Sequence, residues 1–202
     1  MRIGLFFGSY NPLHVGHLII ADYVLDFYDV QEIWLVLSPQ NPMKDAEILA
    51  PDEERAEMIR LALDEADSRI KLCEVELSMP RPSYTIDTLR HLATLHPNHE
   101  FVVMLGSDCL DTLPGWKDYQ SLISGWDFYI YPRSPQAYYK ALPSPRFTLV
   151  DAPILGISST QVREVIAAGG EALGYMPSDE WIYIKRLGLY RNQKNTCNAR
   201  KI

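Results

Sequence analysis

Two histidines three residues apart, His14 and His17, stand in the segment Gly8-Ser9-Tyr10-Asn11-Pro12-Leu13-His14-Val15-Gly16-His17. The run Ile3 to Phe7 before it is short, continuous and apolar, as in a strand buried on both faces. Apolar residues recur at helical spacing from Leu18 onward. The histidines therefore fall on the first turn of a helix that follows the first strand, and they share a face. A helix start offers unpaired N–H groups and the positive end of the dipole, which favour an anion. Two imidazoles add hydrogen-bond donors for phosphate oxygens. Pro12 stops the strand, and Gly16 allows close backbone approach. A lone helix-terminal histidine is more often solvated or capping. Two, with two glycines and a proline in this order, read as a phosphate site. The GxGxxG pattern and the Walker lysine are both absent, so those phosphate-binding designs do not fit.

A second segment has similar chemistry. In Ile157-Ser158-Ser159-Thr160-Gln161-Val162-Arg163, Ser158 suits a helix N-cap and hydroxyls cluster at the helix start. Arg163 lies about one turn on, with a full positive charge. Alone, the segment reads equally well as simple capping beside a surface arginine. Asp108, in Gly106-Ser107-Asp108, ends a predicted strand where it could accept ribose hydroxyls. Read alone, Trp116 is a core residue and Lys44 an exposed loop lysine.

These residues need a scaffold, and the chain's pattern supplies one. Strands are predicted at Ile3 to Phe7, Ile33 to Leu37, Ile70 to Val75, Phe101 to Leu105, Phe128 to Tyr131 and Phe147 to Val150. Helices are predicted at Leu18 to Tyr28, from Pro51 to about Ala66, and at Tyr84 to Leu95, Ser158 to Ala168 and Ser178 to Leu187. Alternation at this spacing argues for an α/β, Rossmann-like doubly wound parallel sheet with helices on both faces and a small C-terminal helical part. Ligands in such folds bind beyond the carboxyl ends of the strands. No repeat or linker divides residues 1–190, which are expected to form one domain. Residues 191–202 read as a polar tail.

The chain has 202 residues, is 47% hydrophobic and carries a net charge of -7. The length suits a single core. The acidic balance argues against a general affinity for nucleic acid. Cys73, Cys109 and Cys197 are scattered and odd in number, so neither a disulfide framework nor a zinc site is expected. No run is long and apolar enough for a signal segment or a membrane span. The expected compartment is the cytoplasm. The sequence is compatible with a homo-oligomer as well as a monomer.

The first segment resembles the nucleotidylyltransferase pattern GxFxPxHxGH, and Ser158 to Arg163 resembles that superfamily's ISSTxxR motif. Ser83-Tyr84-Thr85-Ile86-Asp87-Thr88-Leu89, read alone an ordinary capped helix start, resembles the SYTxDTL segment of bacterial nicotinate-mononucleotide adenylyltransferases. Gly106-Ser107-Asp108 followed by Trp116, and the ending Gly188-Leu189-Tyr190, resemble the same family, so the likeness spans about Met1 to Tyr190. Phe7 and Asn11 depart from it, standing where many members have Gly and Asp. Met43 replaces the His of a Pro-His-Lys segment in which Lys44 matches.

The resemblance implies that His14, His17 and Arg163 are catalytic. It implies that Gly8, Ser9, Tyr10, Gly16, Ser158, Ser159 and Thr160 bind ATP, with Arg133 flanking the adenine. Lys44, Tyr84, Thr85, Asp108, Trp116 and Lys117 would bind the mononucleotide. The implied reaction is attack of the 5'-phosphate of nicotinate mononucleotide on the α-phosphorus of ATP. Magnesium would ride on the β- and γ-phosphates, since the sequence shows no carboxylate cage for it. Nicotinamide mononucleotide and phosphopantetheine are the rival acceptors. A nucleotide-binding module without turnover is the rival of a different class.

Overall fold

The computed structural model describes residues 1–39 and 49–191. Lys44 and Met43 lie outside the described residues, as do residues 192–202 of the expected tail. Among the described residues, six strands form one sheet: β1 (Arg2–Gly8), β2 (Glu32–Leu37), β3 (Ile70–Cys73), β4 (Glu100–Gly106), β5 (Asp127–Tyr131) and β6 (Phe147–Leu149). All neighbouring pairs are parallel, in the order β3-β2-β1-β4-β5-β6. The helices are α1 (Val15–Phe27), α2 (Asp52–Leu63), α3 (Thr85–Leu95), α4 (Tyr119–Gly125), α5 (Ser159–Ala167) and α6 (Ser178–Leu187). This is the doubly wound, Rossmann-like architecture that the alternation predicts.

Burial on both faces explains why the strands read as continuous apolar runs. Phe6, Val102 and Met104 face a core shared with Val24 of α1 and Ile59 of α2. Ile3, Leu5 and Val103 face the other way, against Leu89 and Leu92 of α3 and Leu122 of α4. A third, smaller core joins Met58 of α2, Val162 and Ile166 of α5, and Trp181 and Ile184 of α6.

Several boundaries differ from the sequence expectation. Helix α1 begins at Val15 rather than Leu18, because His14 already serves as its N-cap. Strand β3 ends at Cys73, and Val75–Ser78 forms a 3-10 turn that buries Glu76. Helix α4 was not expected: it is one short stretch, entered through Asp118 at φ 51.

One buried arginine locks the C-terminal ends of β1 and β2 to α2, and one buried acid stands at the start of α6. Arg55 of α2 has no exposed surface. Its Nε donates to the Ala50 carbonyl at 3.0 Å, and Nη1 to the carbonyls of Ser9 at 2.6 Å and Ser38 at 2.9 Å. Nη2 donates to the Pro39 carbonyl at 3.1 Å and pairs with Asp52. A planar fork with fixed donor directions suits this multi-point grip, which an ammonium cannot reproduce. Glu180, in the first turn of α6, also has no exposed surface. The Leu13 amide approaches it, but neither carboxyl oxygen completes a well-aligned hydrogen bond. Burial pushes its pKa well above the usual 4.5.

Arg55→Met should destabilise the protein by about 3–5 kcal/mol, since it strands a partly buried carboxylate and several buried carbonyls. Urea unfolding would read this as a lower midpoint at unchanged slope. For Glu180, the folded carboxyl keeps a proton that the unfolded chain releases above 4.5. Its stability contribution is therefore intact below that value and erodes as pH rises toward the folded pKa. Glu180→Gln should remove this slope. Its thermal midpoint relative to wild type should climb as pH rises above about 5; a constant difference would refute the assignment.

Candidate functional site

Ligands of an open parallel sheet bind where the strand order reverses. Here that point lies between β1 and β4, and a cavity of about 770 Å³ opens there.

One wall is the β1–α1 loop, with Gly8, Ser9, Tyr10, His14 and His17. Tyr10 adopts φ 43, and its buried hydroxyl donates to the Phe6 carbonyl. Its ring lies over Gly8, where an added Cβ would sit 2.8 Å from it. Glycine at 8 is thus required by the packing of Tyr10. His14 is the N-cap of α1, and its N–H donates to His17 Nδ1 at 3.2 Å. The two rings stack with centroids 3.8 Å apart, and Phe6 and Tyr10 meet His17 edge-on. An accepting Nδ1 places the proton of neutral His17 on Nε2. His14 is 3% exposed. Burial, with Arg133 adding to it, lowers its pKa from 6.5 to about 4, so its ring is neutral at neutral pH.

The amides of this turn are committed within the protein. His14 N–H goes to the His17 ring, Val15 N–H to the Tyr175 carbonyl at 2.8 Å, and His17 N–H to the His14 carbonyl at 2.9 Å. These three do not serve an anion as the sequence suggested. The imidazoles and the helix dipole remain. Gly16 does not line the cavity: a Cβ there would meet Ile157 Cγ2 at 2.6 Å and His14 Nδ1 at 2.9 Å. Its role is to let α1 approach the segment before α5.

The second wall is the start of α5. Ser158 Oγ accepts the Gln161 N–H at 3.3 Å, as an N-cap should. Ser159 Oγ donates to the Pro12 carbonyl at 2.9 Å. Arg163 donates from Nη1 to the Asn11 carbonyl at 2.7 Å and from Nη2 to Thr160 Oγ1 at 3.3 Å. The two segments singled out from sequence are therefore bonded to each other, and Ser158, Ser159, Thr160 and Arg163 all line the cavity. Burial lowers the Arg163 pKa from its usual value. Arg133, beyond the end of β5, also lines the cavity, and its N–H donates to Ser107 Oγ at 3.0 Å.

The opposite end is built from Tyr84 and Thr85 at the start of α3, with Asp108, Trp116 and Lys117. Trp116 is half-buried against the α3/α4 core and also lines the cavity, so the core and site readings both apply. Its buried Nε1 has no hydrogen-bond partner. Lys117 pairs with Asp87 at 2.7 Å, its Nζ 4.8 Å from the centre of the Tyr84 ring. It ties the segment after β4 to α3.

Sequence reasoning passed over Arg55 and Glu76, and named Tyr190 only as part of the family-like ending, with no role. Arg55 shares an i, i+4 stripe with Ile59, so a charge on an apolar face was the available signal. Tyr190 donates from its hydroxyl to Asn11 Oδ1 at 2.8 Å, and the Ala50 N–H donates to the same oxygen at 3.0 Å. Asn11 is therefore a structural acceptor. Phe7 lines the cavity and packs against the α3/α4 core.

Residues 5–165 match the cytidylyltransferase-like family. A probable nicotinate-nucleotide adenylyltransferase of Flavobacterium johnsoniae is 42% identical over 193 residues, covering 95% of this chain and 100% of that protein. One from Cytophaga hutchinsonii is 37% identical, with 89% and 93% covered. Among solved structures, a Plasmodium falciparum nicotinic acid mononucleotide adenylyltransferase complexed with NaAD superposes with a TM-score of 0.79 at 25% identity, over 94% of this chain and 97% of that one. With the paired histidines and the Arg163 helix joined across one cavity, the chain belongs to the cytidylyltransferase-like family, in its nicotinate-nucleotide adenylyltransferase branch.

Proposed function

We propose that this chain transfers the adenylyl group of ATP to nicotinate mononucleotide, giving nicotinate adenine dinucleotide and pyrophosphate for NAD biosynthesis. The observation that carries this reading is that both half-sites line one cavity. His14, His17, Ser158 to Thr160 and Arg163 lie at one end, and Tyr84, Thr85, Asp108 and Trp116 at the other. Its volume of about 770 Å³ is within the range of small-molecule sites.

An oxygen of the mononucleotide's 5'-phosphate attacks the α-phosphorus. A new P–O bond forms, the bond to the β-phosphate oxygen breaks, and pyrophosphate departs with the electron pair. The nucleophile is already an anion, so no general base is required. Catalysis is alignment plus stabilisation of charge spreading over the α-phosphate and leaving group. His17 donates from Nε2, Arg163 brings a fixed charge, and the starts of α1 and α5 bring dipoles. Magnesium enters with the triphosphate. Of the cavity's carboxylates, Glu76 is engaged by two hydroxyls and Asp108 is exposed. This donor set fits a cation carried by the substrate. The first turn of α3 lines the acceptor end, and a helix N-terminus favours a ring carboxylate over a carboxamide. No helix among the described residues is long and apolar enough to cross a membrane, and Cys73 and Cys109 are free thiols.

Pyrophosphate release from ATP should be fastest with nicotinate mononucleotide in a panel including nicotinamide mononucleotide and phosphopantetheine. Release with phosphopantetheine alone would overturn the assignment. His17→Ala should lower turnover by roughly 10²- to 10³-fold at saturating ATP, as expected for a well-aimed donor; near-native turnover would sink the mechanism.

His14 yields a second expectation. A triphosphate beside a neutral imidazole raises its pKa from about 4, so ATP binding should take up a proton. Calorimetry near pH 6 in buffers of different ionisation enthalpy should show more uptake by the wild type than by His14→Asn. Equal uptake by both would contradict the burial-based assignment.

A further inference from the structure

Glu76 has no part in the reaction as derived, yet it is 2% exposed and lines the cavity. It sits in the 3-10 turn after β3. Ser83 Oγ donates to one of its oxygens at 2.6 Å and Thr88 Oγ1 to the other at 2.8 Å. Thr88 Oγ1 also lies 3.2 Å from the Tyr84 carbonyl. A carboxylate only accepts, so both hydroxyl protons point at Glu76.

The positions of these donors matter. Ser83 directly precedes Tyr84, the N-cap of α3, and Thr88 lies one turn inside the helix. Glu76 thus grips the entry to α3 on both sides of Tyr84, Thr85 and Ile86, and these three line the acceptor end of the cavity. Lys117 fixes the same turn from outside, through Asp87 and the Tyr84 ring. The turn is held at its exposed side by an ion pair and at its buried side by a carboxylate. Replacing a buried carboxylate and its two hydroxyls with apolar groups of similar shape is often nearly neutral for stability. Stability alone therefore gives little reason for the grip. Among the hydrogen bonds described, Glu76 accepts none from the phosphate end, on the β1–α1 loop and α5.

We propose that Glu76 is a positioning residue for the acceptor mononucleotide: through Ser83 and Thr88 it fixes the α3 entry against which the acceptor binds, and it does not act on ATP. This rests on the adenylyltransferase reading and deepens it. Glu76 differs in role from Arg55, which holds the loops at the triphosphate end.

The test is steady-state kinetics with each substrate varied in turn, for wild type, Glu76→Gln, Glu76→Ala and Ser83→Ala/Thr88→Val. Glu76→Ala should raise KM for nicotinate mononucleotide by roughly tenfold or more, the worth of a hydrogen bond to a charged group, while KM for ATP stays within about twofold. Glu76→Gln keeps the shape but only one of the two accepting oxygens; it should raise the same KM by a smaller, measurable factor of about two- to threefold, and this keeps the test valid if the alanine variant does not fold. In the Ser83→Ala/Thr88→Val background, Glu76→Ala should cost little more, because the three side chains act as one unit. KM values for both substrates rising together, or neither changing in Glu76→Gln and Glu76→Ala, would overturn the proposal. A wild-type chain that turns over no nicotinate mononucleotide would instead overturn the reading beneath it, and this proposal with it.

Discussion

Between β1 and α1 the backbone turns through Ser9 to Leu13 while buried, so its carbonyls can join neither a strand ladder nor a helix. Buried carbonyls left unpaired are costly, and much of the remaining structure donates to them. Arg55 reaches Ser9, Ser159 reaches Pro12, and Arg163 reaches Asn11. The Asn11 side chain extends the pattern, accepting from Ala50 and from Tyr190. Helices α2 and α5 and the turn after α6 converge on one short loop for this reason. The third core, remote from the sheet, is the packing that brings those donors into reach.

The same constraint separates what could be read from sequence from what could not. The strands declare themselves because burial on both faces leaves no polar alternation. The ligand turn declares itself through paired histidines beside glycines. Arg55 does not, because its spacing from Asp52 is also that of an ordinary exposed i, i+3 pair. Only the loops that fold over it remove it from water. Glu76 carries no more signal than an acid just past a strand. Its role is created by Ser83 and Thr88 arriving from the next helix. Helix α4 is short and has a single buried residue, Leu122, too little for an apolar period to show. At position 11 the pattern asks for Asp, and Asn here keeps the accepting oxygen without a charge. That suits a buried position, where an added charge would be costly.

A chain with a net charge of -7 can hold a polyanion because the loop constraint also arranges the charge. The hydrogen bond from Arg163 to Asn11 fixes its guanidinium at the cavity. Arg133 stands close enough to His14 to help keep that ring neutral. The neighbouring His17 is pinned through Nδ1, so its orientation is set before any phosphate arrives. Dipoles fixed in advance cost little reorganisation when charge moves onto the leaving group. A reaction whose nucleophile is already ionised needs this more than it needs a base. The committed amides of α1 fit the same logic. Bonded to the His17 ring and to the carbonyls of Tyr175 and His14, they hold the histidine pair in place, and in the proposed reaction the contact with phosphate falls to side chains.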